Sequence, residues 1–156
     1  MQYLKKLLFV SVFSFFFAAA SAQDCGPITL DKLKELLTSL NYDPKPSSDT
    51  GKVKKWIVTN TGSSLNVPTA YEISPSTNYI WLTVNLGNAP TDSCEKNTAL
   101  LRKNMDIQPC FFYITSKNLL MMALAVENRA VTSAVLKRCN DFIVKRVEET
   151  QDTWKQ

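Results

Sequence analysis

Between Pro109 and Gln151 the chain reads as a strand, a tight polar turn, a second strand and a long helix. Cys110, Phe112 and Ile114 alternate with Phe111, Tyr113 and Thr115. Leu120, Met122, Leu124 and Val126 alternate with Leu119, Met121, Ala123 and Ala125. A period of two sends the two sets to opposite faces of a β-ribbon. Ser116-Lys117-Asn118 between the runs has the composition of a hairpin turn. Val131, Val135, Cys139, Phe142, Ile143 and Val147 then recur at helical spacing, with Lys137, Arg138, Lys145, Arg146, Glu148 and Glu149 mostly off that stripe. A ribbon with an apolar face and a helix with an apolar stripe bury both by packing together. The expected contact sets Cys110-Phe112-Ile114 and Leu120-Met122-Leu124 against Val135-Cys139-Phe142.

The earlier chain adds to this unit. Leu33, Leu36, Leu37 and Leu40 form one helical stripe, with Thr29 or Asp31 as its cap and Asn41, Asp43, Pro44 and Pro46 as its stop. Pro44 to Gly51 reads as a polar loop. Strands are expected over Val53–Thr59, Pro68–Ser74 and Tyr79–Leu86. In the last of these, Ile80, Leu82, Val84 and Leu86 face one way and Tyr79, Trp81, Thr83 and Asn85 the other. Asp92 as cap with Glu95 three residues on reads as a capping box for a short helix carrying Leu100 and Leu101 and fraying near Asn104. The fold class is α+β, in the order α-β-β-β-α-β-β-α.

That order, with Leu33, Leu36, Leu37 and Leu40, the Ile80-x-Leu82-x-Val84 strand, Leu100-Leu101-x-x-Asn104 and the closing strand-strand-helix, resembles the Tir-chaperone or type III secretion chaperone-like fold, including its YbjN-like branch, here in an exported form. The likeness covers roughly residues 28–150. It is a pattern of elements and apolar positions and contains no catalytic signature. The resemblance implies about five antiparallel strands with helices on one face, a frequent dimer, and a surface that binds protein segments.

The first residues read as a targeting segment. Lys5 and Lys6 precede an apolar run from Leu7 to Ala20, and Ala20-Ser21-Ala22 is a small-x-small cleavage site before Gln23. The run is short for a bilayer span of ~20 residues. The expectation is a signal peptide over 1–22 and one α+β domain over 23–156, periplasmic or secreted. Gln23-Asp24 before Cys25 lacks the small residue a lipid-anchoring site needs, so no stable membrane anchor is expected after cleavage. Cys25, Cys94, Cys110 and Cys139 make an even count in an oxidising compartment, and two disulfides are expected. Three pairings exist; Cys94–Cys110 with Cys25–Cys139 is preferred, and buried free thiols are the alternative.

Chemistry is bounded mainly by what is missing. The sequence holds no His, which removes Ser-His-Asp and Cys-His nucleophile pairs and the commonest metal ligand. There is no Cys-x-x-Cys, and the glycines stand too far apart for a phosphate loop. Neither cofactor nor metal is expected, and no enzymatic activity. Strand placement could set the carboxylates of Glu72 and Glu127 face to face. The formal charge of +4 falls near +2 without Lys5 and Lys6, too small to point to nucleic acid. The suggestive feature is aromatic. Trp56, Tyr71, Tyr79, Trp81, Phe111 and Tyr113, with Met121, would form a binding face if they share one side of the sheet. The expected partner is a protein or peptide, with a homodimer as a further option. The rival readings are a structural envelope component with no ligand and, third, an enzyme of unknown type.

Overall fold

Thr29 starts the first helix. Its backbone is extended and its hydroxyl accepts the Lys32 amide, so α1 (Leu30–Ser39) begins on a side-chain cap. Leu33 and Leu37 are its buried stripe. The structure, a computed structural model, describes residues 26–47, 51–61, 65–91 and 93–155. The expected leader, its cleavage site, Cys25 and Asp92 lie outside the described residues.

After α1 come β1 (Lys45–Ser47), β2 (Lys55–Thr61), β3 (Asn66–Ile73) and β4 (Tyr79–Asn88). Then follow α2 (Cys94–Asp106), β5 (Phe111–Ile114), β6 (Leu119–Glu127), α3 (Ser133–Glu149) and a short α4 (Gln151–Trp154). The strands form one antiparallel sheet in the order β1-β2-β3-β4-β6-β5. β4 bends at a bulge between Asn85 and Gly87, where Gly87 takes φ +107° and its amide bonds the Asn85 carboxamide. α1 and α3 cover one face. Trp56 on β2 donates its indole N–H to the Leu30 carbonyl of α1 at 2.9 Å, and Tyr71 on β3 donates its hydroxyl to Asn140 of α3 at 2.6 Å. Leu33, Leu37, Ile80, Leu82, Met122, Leu136 and Ile143 are all fully buried between these layers. Asn128, also fully buried, ties the corner where β6 turns to α3: its carboxamide bonds both backbone groups of Ile28 and the Thr77 carbonyl.

The architecture matches the expected class and order, with six strands where about five were expected. The added strand is β1, in what reads as a polar loop. Lys45, Pro46 and Ser47 show no alternation of their own, and they extend because the free edge of β2 accepts them, Pro46 opposite Trp56. A proline there blunts further pairing at that edge. The other edge, β5, is covered by a side chain. Asn104 of α2 accepts the Phe112 amide at 2.6 Å and donates to the Phe112 carbonyl at 3.2 Å, taking the place of a neighbouring strand.

Three further expectations are corrected. Ser93, not Asp92, caps α2, because Ser93 has the extended backbone and its hydroxyl accepts the Lys96 amide. The buried stripe of α3 is Leu136, Asn140, Ile143 and Val147, one residue round from Val135, Cys139 and Phe142, which flank it half-buried. Ile114 ends β5 exposed rather than in the core. The cysteines also differ. Among the described residues Cys94, Cys110 and Cys139 are free thiols, so the Cys94–Cys110 bridge is not formed; Cys25, the other half of the second expected bridge, lies outside them. Cys94 stands exposed in the first turn of α2 while Cys110 is buried at the entry to β5.

Candidate binding face of the sheet

Register decides which aromatics share a side. Trp56 pairs with Tyr71, and Tyr71 with Leu82, so both rings fall in the phase that the helices cover. Both are buried, Tyr71 completely. They are core residues with satisfied polar tips, and their place in the aromatic binding set is corrected. Within a strand, alternation separates two faces; it does not say which face of β2 matches which face of β4.

Tyr79, Trp81, Phe111, Tyr113 and Met121 lie in the opposite phase, on the face that, among the described residues, no helix covers. The rings form a continuous row. Tyr79 and Trp81 centroids are 6.3 Å apart, Trp81 and Phe111 6.2 Å at an 84° interplanar angle, and Phe111 and Tyr113 6.0 Å. Such offset and edge-on contacts suit the ring quadrupole. Trp81 and Phe111 sit on strands that are not neighbours, since β6 runs between them. They meet because β6 presents only Ala125 opposite Trp81 and Ala123 opposite Phe111. Small side chains on the middle strand let the rings close over it.

The same rule shapes the floor. Ala70, Thr83 and Ala123 lie in one cross-strand row. Beside that row the rings of Trp81, Phe111 and Tyr113 and the carboxylate of Glu72 enclose a cavity of about 340 Å³. A groove of about 550 Å³ continues from it past Lys55, Met121 and Lys117. Burial pushes the Tyr113 phenol up, and the charge of Glu72 adds to the shift. Glu72 and Glu127 do not meet: Glu72 pairs with Trp81 and Glu127 with Tyr79, so β4 stands between them.

Two other features escape a reading by hydrophobic pattern. One is a polar network under α3. Asn140 donates to Tyr42 at 3.2 Å and to Asn60 at 2.7 Å, and accepts from Tyr71 and from Asn60, which also reaches the buried Thr69. A cleft of about 460 Å³ opens beside it, edged by Lys137 and Asp141. Burial raises the pKa of Tyr42, and Asp141 adds to it. The signal for this network was an Asn at a core position of the α3 stripe. The other feature is apolar: Leu101, Met105 and Ile114 stand 70%, 81% and 45% exposed where α2 passes β5. The Cys110 thiol is pushed up to about 12, chiefly by burial, which suits packing rather than nucleophilic chemistry. Among the described residues no helix is long and apolar enough to cross a membrane.

No family model and no curated protein matches the sequence. Two solved structures share the fold. A chain of the heterodimeric ExoU–SpcU complex from the type III secretion system of Pseudomonas aeruginosa aligns over 78% of this chain and 96% of its own, with a TM-score of 0.55 and 11% identity. A chain of the HopA1–SchA chaperone–effector complex aligns over 83% of this chain and 98% of its own, with a TM-score of 0.52 and 12% identity. At such identities the likeness is one of fold alone: this chain shares the fold of one chain in each of the two complexes.

Proposed function

We propose that this chain is an exported, non-enzymatic binding module that holds a segment of a partner protein on the open face of its sheet. The observation that carries the reading is the unbroken row from Tyr79 to Tyr113 on the face that no helix covers. Aromatic rings give large contact area at low entropic cost and are enriched where partners bind. A fold shared with a chain of a chaperone–effector complex supports a protein as that partner. Export rests on Lys5 and Lys6, the apolar run that follows and the Ala20-Ser21-Ala22 site. N-terminal sequencing of the exported chain is expected to begin at Gln23.

The face is tested by placing a photo-cross-linking residue at Ala125, which is exposed beside Trp81, or at Arg138, on the outer side of α3. Adducts to one protein are expected from position 125 only, and Trp81→Ala should remove most of them while leaving the thermal midpoint nearly unchanged. Equal adducts from both positions, or an undiminished yield in the Trp81 variant, would exclude the open face as the site. Self-association through the apolar edge at Leu101, Met105 and Ile114 is a second reading, and its groove meets the open face only at Tyr113.

A further inference from the structure

The open face is not uniformly apolar, and its one charged group at the centre of the ring row is a carboxylate. Glu72 lies directly across from Trp81 on the neighbouring strand. It lines the same cavity as Trp81, Phe111 and Tyr113. It is exposed, and among the described residues it makes no ion pair, although Lys55 is its cross-strand partner on β2. Four acids of the helices differ: Glu35, Asp106, Asp141 and Glu149 each have a lysine or arginine within 4 Å. Lys55 opens onto the adjoining groove, which Glu72 and Lys117 also line.

We infer that Glu72 with the rings of Trp81, Phe111 and Tyr113 forms a receptor for a cationic side chain, arginine or lysine, of the bound protein segment. The inference rests on the open face being the binding surface. Ring faces attract cations, and Trp81 and Phe111 stand at 84°, so they form two walls of a corner rather than one flat surface. The carboxylate supplies a charge-assisted acceptor that a guanidinium can meet with two parallel hydrogen bonds. Glu127, opposite Tyr79, places a second carboxylate toward the same end of the sheet. Lys117, in the turn between β5 and β6, lies toward the other end of the groove and repels a cation there, while Lys55 stands across from Glu72 on the β2 side, so a basic residue is directed to the ring side of Glu72. The cavity is about 340 Å³, near the lower end of the ~300–1,000 Å³ range of small-ligand sites, with room for an arginine or lysine side chain. It is continuous with the longer groove, so the occupant extends beyond the rings, as a peptide does and a free ammonium compound does not.

The test is an NMR titration of the full chain with Ac-Gly-Gly-Arg-Gly-Gly-NH2, with the same peptide carrying neutral citrulline for arginine, and with choline. The arginine peptide is expected to shift the Trp81 indole N–H and the neighbouring β3, β4 and β5 amides saturably. Citrulline should bind at least tenfold more weakly. Glu72→Gln should reduce arginine binding to the citrulline level and leave the thermal midpoint unchanged. Equal affinity for the two peptides, or no saturable shift with either, overturns the inference; choline binding as tightly as the arginine peptide overturns the peptide assignment in favour of a small ammonium ligand. Cross-linking from position 125 separates this failure from that of the parent reading. Adducts that persist in Glu72→Gln and vanish in Trp81→Ala keep the binding face and remove its cation preference, whereas adducts that survive both remove both.

Discussion

Asn140 is a polar side chain at the centre of a helical core stripe, and it is 2% exposed. All of its hydrogen-bonding capacity is used, by Tyr42, Asn60 and Tyr71. A buried network of this kind is favourable only while complete, because each orphaned group keeps its desolvation cost of about 1–3 kcal/mol. Asn140→Ala is expected to lower stability by about 3 kcal/mol in urea unfolding, since it strands the Tyr71 hydroxyl and the Asn60 carboxamide oxygen. Tyr71→Phe in the Asn140→Leu background should recover part of the loss of Asn140→Leu alone, and a strictly additive pair would show that the two groups are not coupled. Buried thiol and phenol groups add a pH dependence with one sign. Cys110 rises from 9.0 to about 12, mainly through burial, and Tyr42 and Tyr113 rise from 10.0 for the same first cause. The folded chain thus binds more protons than the unfolded chain above pH 9, so stability should fall from about pH 9 toward pH 12, with no effect of these groups below that window. The urea midpoint measured across this range checks it, and Cys110→Ala should make the decline shallower. None of this residue-scale detail was legible in sequence. A hydrophobic-pattern reading drops Asn from the stripe and so moves the α3 stripe by one residue, to Val135 and Cys139.

At the scale of elements, the strands and helices that carry strong periodicity were legible, and those made by their neighbours were not. Tyr79–Asn88 and Leu119–Glu127 alternate cleanly and form as read, because each has one buried phase. β1 exists only because β2 offers a free edge. The phase between strands was equally invisible, which is why Trp56 and Tyr71 joined the wrong face. Edge control by Asn104 shows how one residue acts on an element. Its carboxamide occupies the outward amide and carbonyl of Phe112, the groups through which an unpaired edge would recruit another strand. Asn104→Ala should cost about 1–2 kcal/mol and raise the tendency to associate through β5. Thermal unfolding checks the first and light scattering of the heated and recooled chain the second; unchanged values in both would show that water replaces the carboxamide without loss.

For the whole molecule, the layer arrangement follows from the sequence because the closing ribbon and helix leave little choice, while the surfaces follow from how the layers end. Where α2 crosses β5 the side chains of Leu101 and Met105, one helical turn apart, remain outside with Ile114. A groove of about 180 Å³ between them is lined almost wholly by apolar residues, Leu100, Phe112 and Leu120 among them. Isolated apolar residues on a surface are ordinary, but a contiguous set beside an apolar groove marks an interface. In the self-association reading, a two-fold axis would set Leu101 of each copy against the groove of the other, a self-complementary contact. Because Asn104 blocks strand addition at Phe112, such a dimer would join through side chains rather than as a continuous sheet. Light scattering of the folded chain is expected to give twice the monomer mass, and Leu101→Lys with Met105→Lys should return it to monomer mass while leaving helix content intact, since both residues are exposed. The open face lies on a different part of the sheet, so Trp81→Ala should leave the mass unchanged. A wild-type chain that stays monomeric up to its solubility limit would leave these side chains without a self-association role, and a dimer that survives the lysine pair would place the interface elsewhere.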